Sequence, residues 1–174
     1  MKIAPIILFA LFCFTAKAQR VQIIATPGTA HSKPELFVSA NFFPMGEQSF
    51  GFIIANGKTF LNINHVIEQD SMVNLKKADI LHSEIVIKLD NDSLMYFLPS
   101  LNMANVLDIN CTKRLVMDAE ISNYELLAFR DHMVVSLKLM NETGKAYSIF
   151  NFTKENKLSI QNAVVCFLDK KDNL

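Results

Sequence analysis

The sequence predicts a mainly β protein, an antiparallel sandwich or barrel built from short strands that hairpins connect. Beyond residue 20 the apolar residues fall into short runs of strand length, several of which alternate apolar with polar residues. These runs are separated by Asn, Asp, Gly and Pro, the residues that tight turns select. Parallel strands would need connections of about a dozen residues, usually helical, and the pattern offers few of them. An α/β fold is therefore not expected.

The amino terminus has the three parts of an export signal. A basic residue precedes an apolar run over residues 3–14, and Ala16 and Ala18 are the small residues of a cleavage site. The apolar run is shorter than the roughly 20 residues that cross a bilayer. We expect a signal peptide of residues 1–18, cleaved near Ala18. The rest, residues 19–174, is expected to be a single exported β-rich domain, secreted or periplasmic and not membrane-spanning.

The charge pattern argues against nucleic acid as a partner. The chain has 17 basic and 17 acidic side chains, and its basic residues occur at most in adjacent pairs. A protein that binds the phosphate backbone needs a basic patch or stripe. No nucleic-acid partner is therefore expected.

The firmest local prediction is a hairpin at Asn56-Gly57, because this pair accepts the positive φ that a two-residue turn requires. A second hairpin is predicted around residues 90–92, and a third around residues 130–132. The strands predicted along the chain are residues 35–43, 50–55, 58–63, 84–89, 94–98, 124–129, 133–140, 146–150 and 163–168, with further turns at 44–46 and 141–144.

The pattern predicts only one short helix, around residues 65–80. Apolar residues recur at helical spacing over residues 72–78, and Asp70 or Ser71 is a suitable N-cap. Residues 169–174 are expected to form a frayed polar tail.

Cys111 and Cys166 are the candidate disulfide. Both lie beyond the expected signal peptide, and exported compartments are oxidising. Closing a loop of that length would stabilise the protein by roughly 4 kcal/mol in the chain-entropy model. Two buried free thiols are the alternative, because the sequence does not show whether the two side chains face each other.

Large apolar residues crowd both faces of two predicted strands. Phe42 and Phe43 are adjacent, as are Tyr96 and Phe97, and neighbouring residues of an extended strand point to opposite faces. Such residues fill a core, line an apolar ligand pocket or form a protein interface. Phe42, Phe43, Tyr96 and Phe97 are therefore the candidate ligand or interface residues, with core packing as the alternative.

No motif predicts catalysis, a cofactor or a metal site. The histidines lack the local spacing of zinc ligands. His65 and His82 each lie near a glutamate, the minimum for general acid and base chemistry, but such pairs arise by chance. We expect no catalytic, cofactor-binding or metal-ligating residues, and the lack of a reactive motif favours a protein that is not an enzyme.

Asn-x-Ser/Thr sequons occur at four positions, Asn91, Asn110, Asn141 and Asn151. In a eukaryotic secretory route these asparagines would be glycan acceptors. In a bacterium without this modification they would follow from the asparagine-rich composition alone. The sequence leaves both interpretations open.

These features together favour a non-enzymatic exported β domain that binds a protein, or another cell-envelope or extracellular partner. The alternative is a carrier of a lipid or other apolar small molecule in a β-barrel cavity. A third hypothesis is a hydrolase whose site is built from residues distant in sequence, such as His65, His82 and a carboxylate.

Overall fold

The computed structural model describes residues 20–26, 35–42, 48–67, 83–100, 105–109, 112–141 and 143–173. In these residues the chain forms ten strands and two helices, numbered in chain order. The elements are β1 (Arg20–Thr26), β2 (Glu35–Phe42), β3 (Gln48–Ala55), β4 (Lys58–Ile67), β5 (Glu84–Leu89), β6 (Leu94–Phe97), β7 (Asn105–Ile109), β8 (Thr112–Glu120), α1 (Asn123–Asp131), β9 (Val134–Met140), β10 (Ala146–Asn151) and α2 (Lys154–Lys171).

The strands form two antiparallel sheets, which confirms the mainly β class predicted from the sequence. One sheet has six strands in the order β1-β2-β3-β4-β8-β7, and the other has four in the order β10-β9-β5-β6. Buried side chains from both sheets and both helices belong to one hydrophobic core, an arrangement consistent with a sandwich. The described strands do not close into a barrel, because each sheet ends in two edge strands in the described order.

Three of the predicted hairpin connections are confirmed. At the β3–β4 turn, Asn56 has φ 54° and Gly57 has φ 78°, the left-handed conformation that the Asn-Gly pair indicates. In the β5–β6 turn, the Leu89 N–H donates to the Ser93 carbonyl at 3.0 Å. In the β9–β10 turn, Gly144 has φ 75°, a value that favours glycine. At these three turns, the residues on both sides are strands in the structure, and the two strands pair as the turn residues predicted.

The strand predicted at residues 124–129 is wrong, because these residues belong to helix α1. Ser122 and Glu125 form a capping box: the Glu125 N–H donates to Ser122 Oγ at 3.2 Å, and the Ser122 N–H donates to the Glu125 carboxylate at 2.6 Å. Leu126 and Phe129 are buried one helical turn apart. Residues predicted to form a hairpin bend are therefore the carboxyl end of a helix and the segment that follows it.

The strand predicted at residues 163–168 is also wrong, because it lies inside the long helix α2. Thr153 caps this helix, with its Oγ1 accepting from the Asn156 N–H at 3.2 Å. The helix continues to Lys171, so most of the expected frayed tail is helical. Its core-facing residues recur at the spacing of one helix face and are Ile160, Ala163, Val164 and Phe167.

The turn predicted at residues 44–46 lies outside the described residues, and other predictions do so in part or in whole. The helix expected around residues 65–80 is wrong at its start, because residues 65–67 form the end of β4. The remainder of that segment and the expected signal peptide, residues 1–18, lie outside the described residues.

Phenylalanine rings hold the two sheets and the two helices together. Phe129 of α1 lies 5.9 Å, centroid to centroid, from both Phe50 and Phe52 of β3, and 6.0 Å from Phe97 of β6. Phe167 of α2 lies 5.5 Å from Phe52. The Phe97–Phe129 pair is stacked and the other pairs are tilted or edge-on, geometries that aromatic pairs prefer. The aromatic residues thus fill the space between the sheets and bring α1 close to β6.

Candidate functional site

A surface groove lies between the β5–β6 hairpin and helix α1, and we call it the β6–α1 groove. Its volume is about 470 Å³, within the range of about 300–1,000 Å³ typical of binding pockets. Leu94 and Met95 of β6 form one wall, and Tyr124 and Leu127 of α1 form the other. The wall residues are therefore apolar or aromatic.

The apolar side chains at this groove are unusually exposed. Among the residues that line it, the exposed fraction is 50% for Leu94, 83% for Tyr124 and 38% for Leu127. Single exposed apolar residues are ordinary on protein surfaces, but several around one concavity mark an interaction site. The β6–α1 groove is the candidate functional site.

Helix periodicity explains why α1 carries both a buried and an exposed apolar face. Leu126 and Phe129 pack into the core, whereas Tyr124, Leu127 and Asp131 recur at i, i+3 and i+7 and line the groove. A strand would have turned alternate residues inward instead. The groove exists because residues 123–131 are helical.

The polar residues that line the groove are Asn91, Ser93, Asp131 and His132. His132 Nδ1 lies 3.3 Å from Asp90 Oδ1, which joins the end of α1 to the β5–β6 turn. The Arg130 side chain lies 2.7 Å from Asp131, and this hydrogen bond holds the pKa of the Asp131 carboxyl below its usual value. Asp131 is therefore charged at neutral pH, so the groove has an apolar body and a polar rim.

The four candidate ligand or interface residues have different surroundings. Phe42 and Phe97 are buried in the core, where Phe97 stacks on Phe129. Tyr96 is exposed on β6, and Phe43 lies outside the described residues. The binding role assigned to these residues stays a prediction. The sequence reasoning selected Tyr96 but missed Tyr124 and the rest of the α1 wall.

The candidate disulfide also stays a prediction. Cys166 lies half-buried on α2, and Cys111 is outside the described residues. Of the sequons, Asn91 and Asn141 sit in turns, where each side-chain Oδ1 accepts a backbone N–H two residues ahead. Asn110 is outside the described residues, and Asn151 ends β10 with its side chain exposed.

His65 lies at a different place, where β4 meets β10 between the sheets. Its Nε2 is 2.8 Å from Ser148 Oγ, and its ring lies edge-on to Phe150. Burial lowers the pKa of His65, so the imidazole is neutral at physiological pH. The adjacent cleft, lined also by Asn64, has room for about one water molecule. His82, the second histidine of the hydrolase hypothesis, is outside the described residues.

No group of three or more His, Cys, Asp and Glu side chains in the described ranges has the arrangement to hold a metal ion. Neither of the two described helices is long and apolar enough to cross a lipid bilayer.

Comparison with known proteins adds no assignment. No family model matches the sequence, and no curated protein or solved structure is similar enough to carry an inference. The fold and the groove define a mainly β protein with two antiparallel sheets and a helix-walled surface groove. Its function is argued from that geometry alone.

Proposed function

We propose that this chain is an exported β domain that binds a protein partner in the cell envelope or outside the cell, with the β6–α1 groove as its contact surface. The observation that carries the proposal is the cluster of exposed Leu and Tyr side chains at this groove. Removing such side chains from water contributes about 25 cal/mol per Å² of apolar area, the main driving force of association. A partner that covers these side chains would remove them from water and so be bound more tightly.

The composition of the groove matches that of a protein interface. Interface cores are depleted in charged residues and enriched in Tyr, Trp, Phe, Met and Arg, and they are surrounded by a polar rim. The groove has Tyr124 and Met95 among its apolar wall residues, with Asp131 and His132 among its polar residues. Its charged residues thus lie where they would guide orientation and leave the apolar walls free for contact.

The α1 wall is held in place before any partner binds. The Lys171 ammonium donates to Asn123 Oδ1 at 2.5 Å, and Gln161 Nε2 donates to the Arg130 carbonyl at 3.2 Å. These contacts tie both ends of α1 to α2, while Phe129 anchors its middle in the core. A pre-ordered surface loses little conformational entropy on binding, which favours affinity.

The carrier alternative has less support from the geometry. The described strands form two open sheets, and phenylalanine side chains occupy the space between them. The cleft beside His65 has room for about one water molecule, far less than a lipid chain needs. A carrier would therefore have to hold its ligand in the open β6–α1 groove.

Site-specific photo-cross-linking tests the partner proposal. A benzophenone amino acid replaces Tyr124 in the exporting host. A matched variant carries it at Ile149, an exposed apolar residue of β10, which lies at the edge of the four-stranded sheet opposite to β6. We expect a discrete cross-linked protein from position 124 and none from position 149. That protein, once purified, should bind the unmodified chain, and Leu127→Asp should weaken binding about tenfold or more.

The other outcomes discriminate between the alternatives. Equal cross-linking from both positions, or none from position 124, contradicts the proposal. A small-molecule mass that the native protein releases on denaturation in a mass spectrometer would favour the carrier instead.

A further inference from the structure

We infer that the partner binds as an extended segment that pairs with β6, so that the four-stranded sheet gains a fifth strand over the β6–α1 groove. This inference rests on the proposed function and specifies the binding mode. It starts from the position of β6, which is an edge strand in the part of the chain that the structure describes. Edge strands offer backbone N–H and C=O groups to another chain.

The hydrogen-bond pattern shows which backbone groups face the open edge. The Leu89 N–H donates to the Ser93 carbonyl, which sets the alternation of the β5–β6 ladder. The hydrogen-bonded pairs are therefore Ile87 with Met95 and Ile85 with Phe97. The intervening residues, Leu94 and Tyr96, direct their N–H and C=O groups away from β5. A partner strand would find two donors and two acceptors there.

The sequence of this edge lacks the features that prevent strand addition. Native edge strands are commonly protected by charged residues, especially Lys, by Pro or by a bulge. Residues 94–98 read Leu-Met-Tyr-Phe-Leu, with no charged residue and no Pro before Pro99. The β5–β6 pairing is also regular over its four residue pairs. Such an edge is suited to pairing with another strand.

The groove beside the edge defines the chemistry of the segment. Successive side chains of an added strand alternate between the two faces of the sheet. On one face they would meet Met95 and the Tyr124 and Leu127 wall, and on the other they would flank the exposed Tyr96 side chain. The segment is therefore expected to be uncharged, free of Pro, and to carry large apolar side chains at alternate positions.

A second copy of this chain is the less suitable occupant. Mutual pairing through β6 would align only four residues from each copy. A stable protein dimer usually buries about 800 Å² on each partner, which a contact of this length does not approach. An extended segment of another protein can use the edge and fill the groove at the same time.

A defined peptide tests the binding mode. The probe is a fluorescein-labelled heptapeptide that alternates Thr and Leu, and two control peptides carry N-methyl groups either on all Leu or on all Thr residues. Because only one edge of a strand faces β6, we expect one methylated peptide to bind like the probe and the other to lose about tenfold or more in affinity. The probe should also slow hydrogen exchange at the Leu94 and Tyr96 amides.

Two variants of Tyr96 separate backbone pairing from side-chain contact. Tyr96→Pro removes an outward N–H that β5 does not use, whereas Tyr96→Thr keeps that N–H and removes only the aromatic ring. We expect Tyr96→Pro to lower peptide affinity much more than Tyr96→Thr, with both variants folded by circular dichroism.

Three results would overturn strand addition. These are equal losses in the two Tyr96 variants, no probe binding at its solubility limit, and a wild-type dimer that Tyr96→Pro dissociates. In each case, cross-linking from position 124 can still succeed, so this inference can fail while the proposed function stands.

Discussion

The interior of this protein and the β6–α1 groove are both apolar, yet only the interior is closed to water. Phe50, Phe52 and Phe129 are fully buried and pack ring against ring, whereas Tyr124 and Leu127 of the same helix as Phe129 remain exposed. One helix therefore presents one apolar face to the core and another to solvent. The face of α1 that packs into the core therefore contributes stability, while the exposed face is available for binding.

The largest effect is expected from opening the interior. Phe129→Ala removes a ring that contacts β3 and β6, and we expect it to lower the free energy of unfolding by about 3–5 kcal/mol. Urea denaturation followed by circular dichroism measures this. Phe129→Leu, which keeps most of the volume, should cost clearly less. An unchanged urea midpoint for Phe129→Ala would contradict the claim that the buried face of α1 stabilises the protein.

The next effect tests whether the groove depends on helix α1. Ser122→Ala removes the cap that accepts the Glu125 N–H, and we expect a loss of about 1 kcal/mol in the free energy of unfolding. Hydrogen exchange at the α1 amides should become faster. Ser122→Thr keeps a hydroxyl and serves as the control. If both variants behave like the wild type, the capping box is not what holds the groove wall.

The interior and the groove are also expected to differ in the pH dependence of stability, because His65 is buried and His132 lies partly exposed at the groove. Burial lowers the pKa of His65 below the ordinary histidine value of 6.5, so the unfolded chain binds a proton at this side chain more readily than the folded chain. The contribution of His65 to stability is therefore present above pH 6.5 and is lost as the pH falls below it. We expect His65→Gln to flatten this part of the stability profile in urea titrations.

His132→Gln is the matched control for the pH experiment, because His132 lies partly exposed at the groove and contacts Asp90. A stability profile that His132→Gln flattens as strongly as His65→Gln would contradict the assignment of the acid sensitivity to the buried site.

The smallest effect on stability is expected at the groove itself. Tyr124→Ser changes a side chain that is 83% exposed, so the free energy of unfolding should stay within about 0.5 kcal/mol of the wild type. Partner binding should nevertheless weaken. A large loss of stability would show that this face is part of the folding core, and the distinction between the two faces of α1 would fall.

The sequence predicted three hairpins correctly, at the β3–β4, β5–β6 and β9–β10 turns, whereas the hairpin predicted around residues 130–132 was wrong and β1, β7 and β8 were not among the predicted strands. Asn56-Gly57 and Gly144 mark turns because their backbone conformations are strained for most other residues. The helices were missed because residues 124–129 and 163–168 are short apolar runs, which periodicity alone does not separate from strands. The local signal that was overlooked is the Ser-x-x-Glu capping box at Ser122 and Glu125.

The candidate site was less predictable than the fold. Leu94 and Tyr124 are 30 positions apart in sequence, and only the packing of α1 through Phe129 brings them to one groove. Of the residues chosen for their apolar crowding, Tyr96 is exposed on β6 and Phe97 is buried in the core. Sequence alternation identified two faces of the strand but not which face solvent reaches.

The sequence by itself determined the mainly β class and the hairpins at the β3–β4, β5–β6 and β9–β10 turns, because turn chemistry and the two-residue strand period are local properties. Tertiary structure decided that two apolar runs are helical and that the sheets stay open. It also decided that one face of α1 is left outside the core. These outcomes depend on contacts between distant residues, since the free energy of burying an apolar side chain is set by the elements that pack against it.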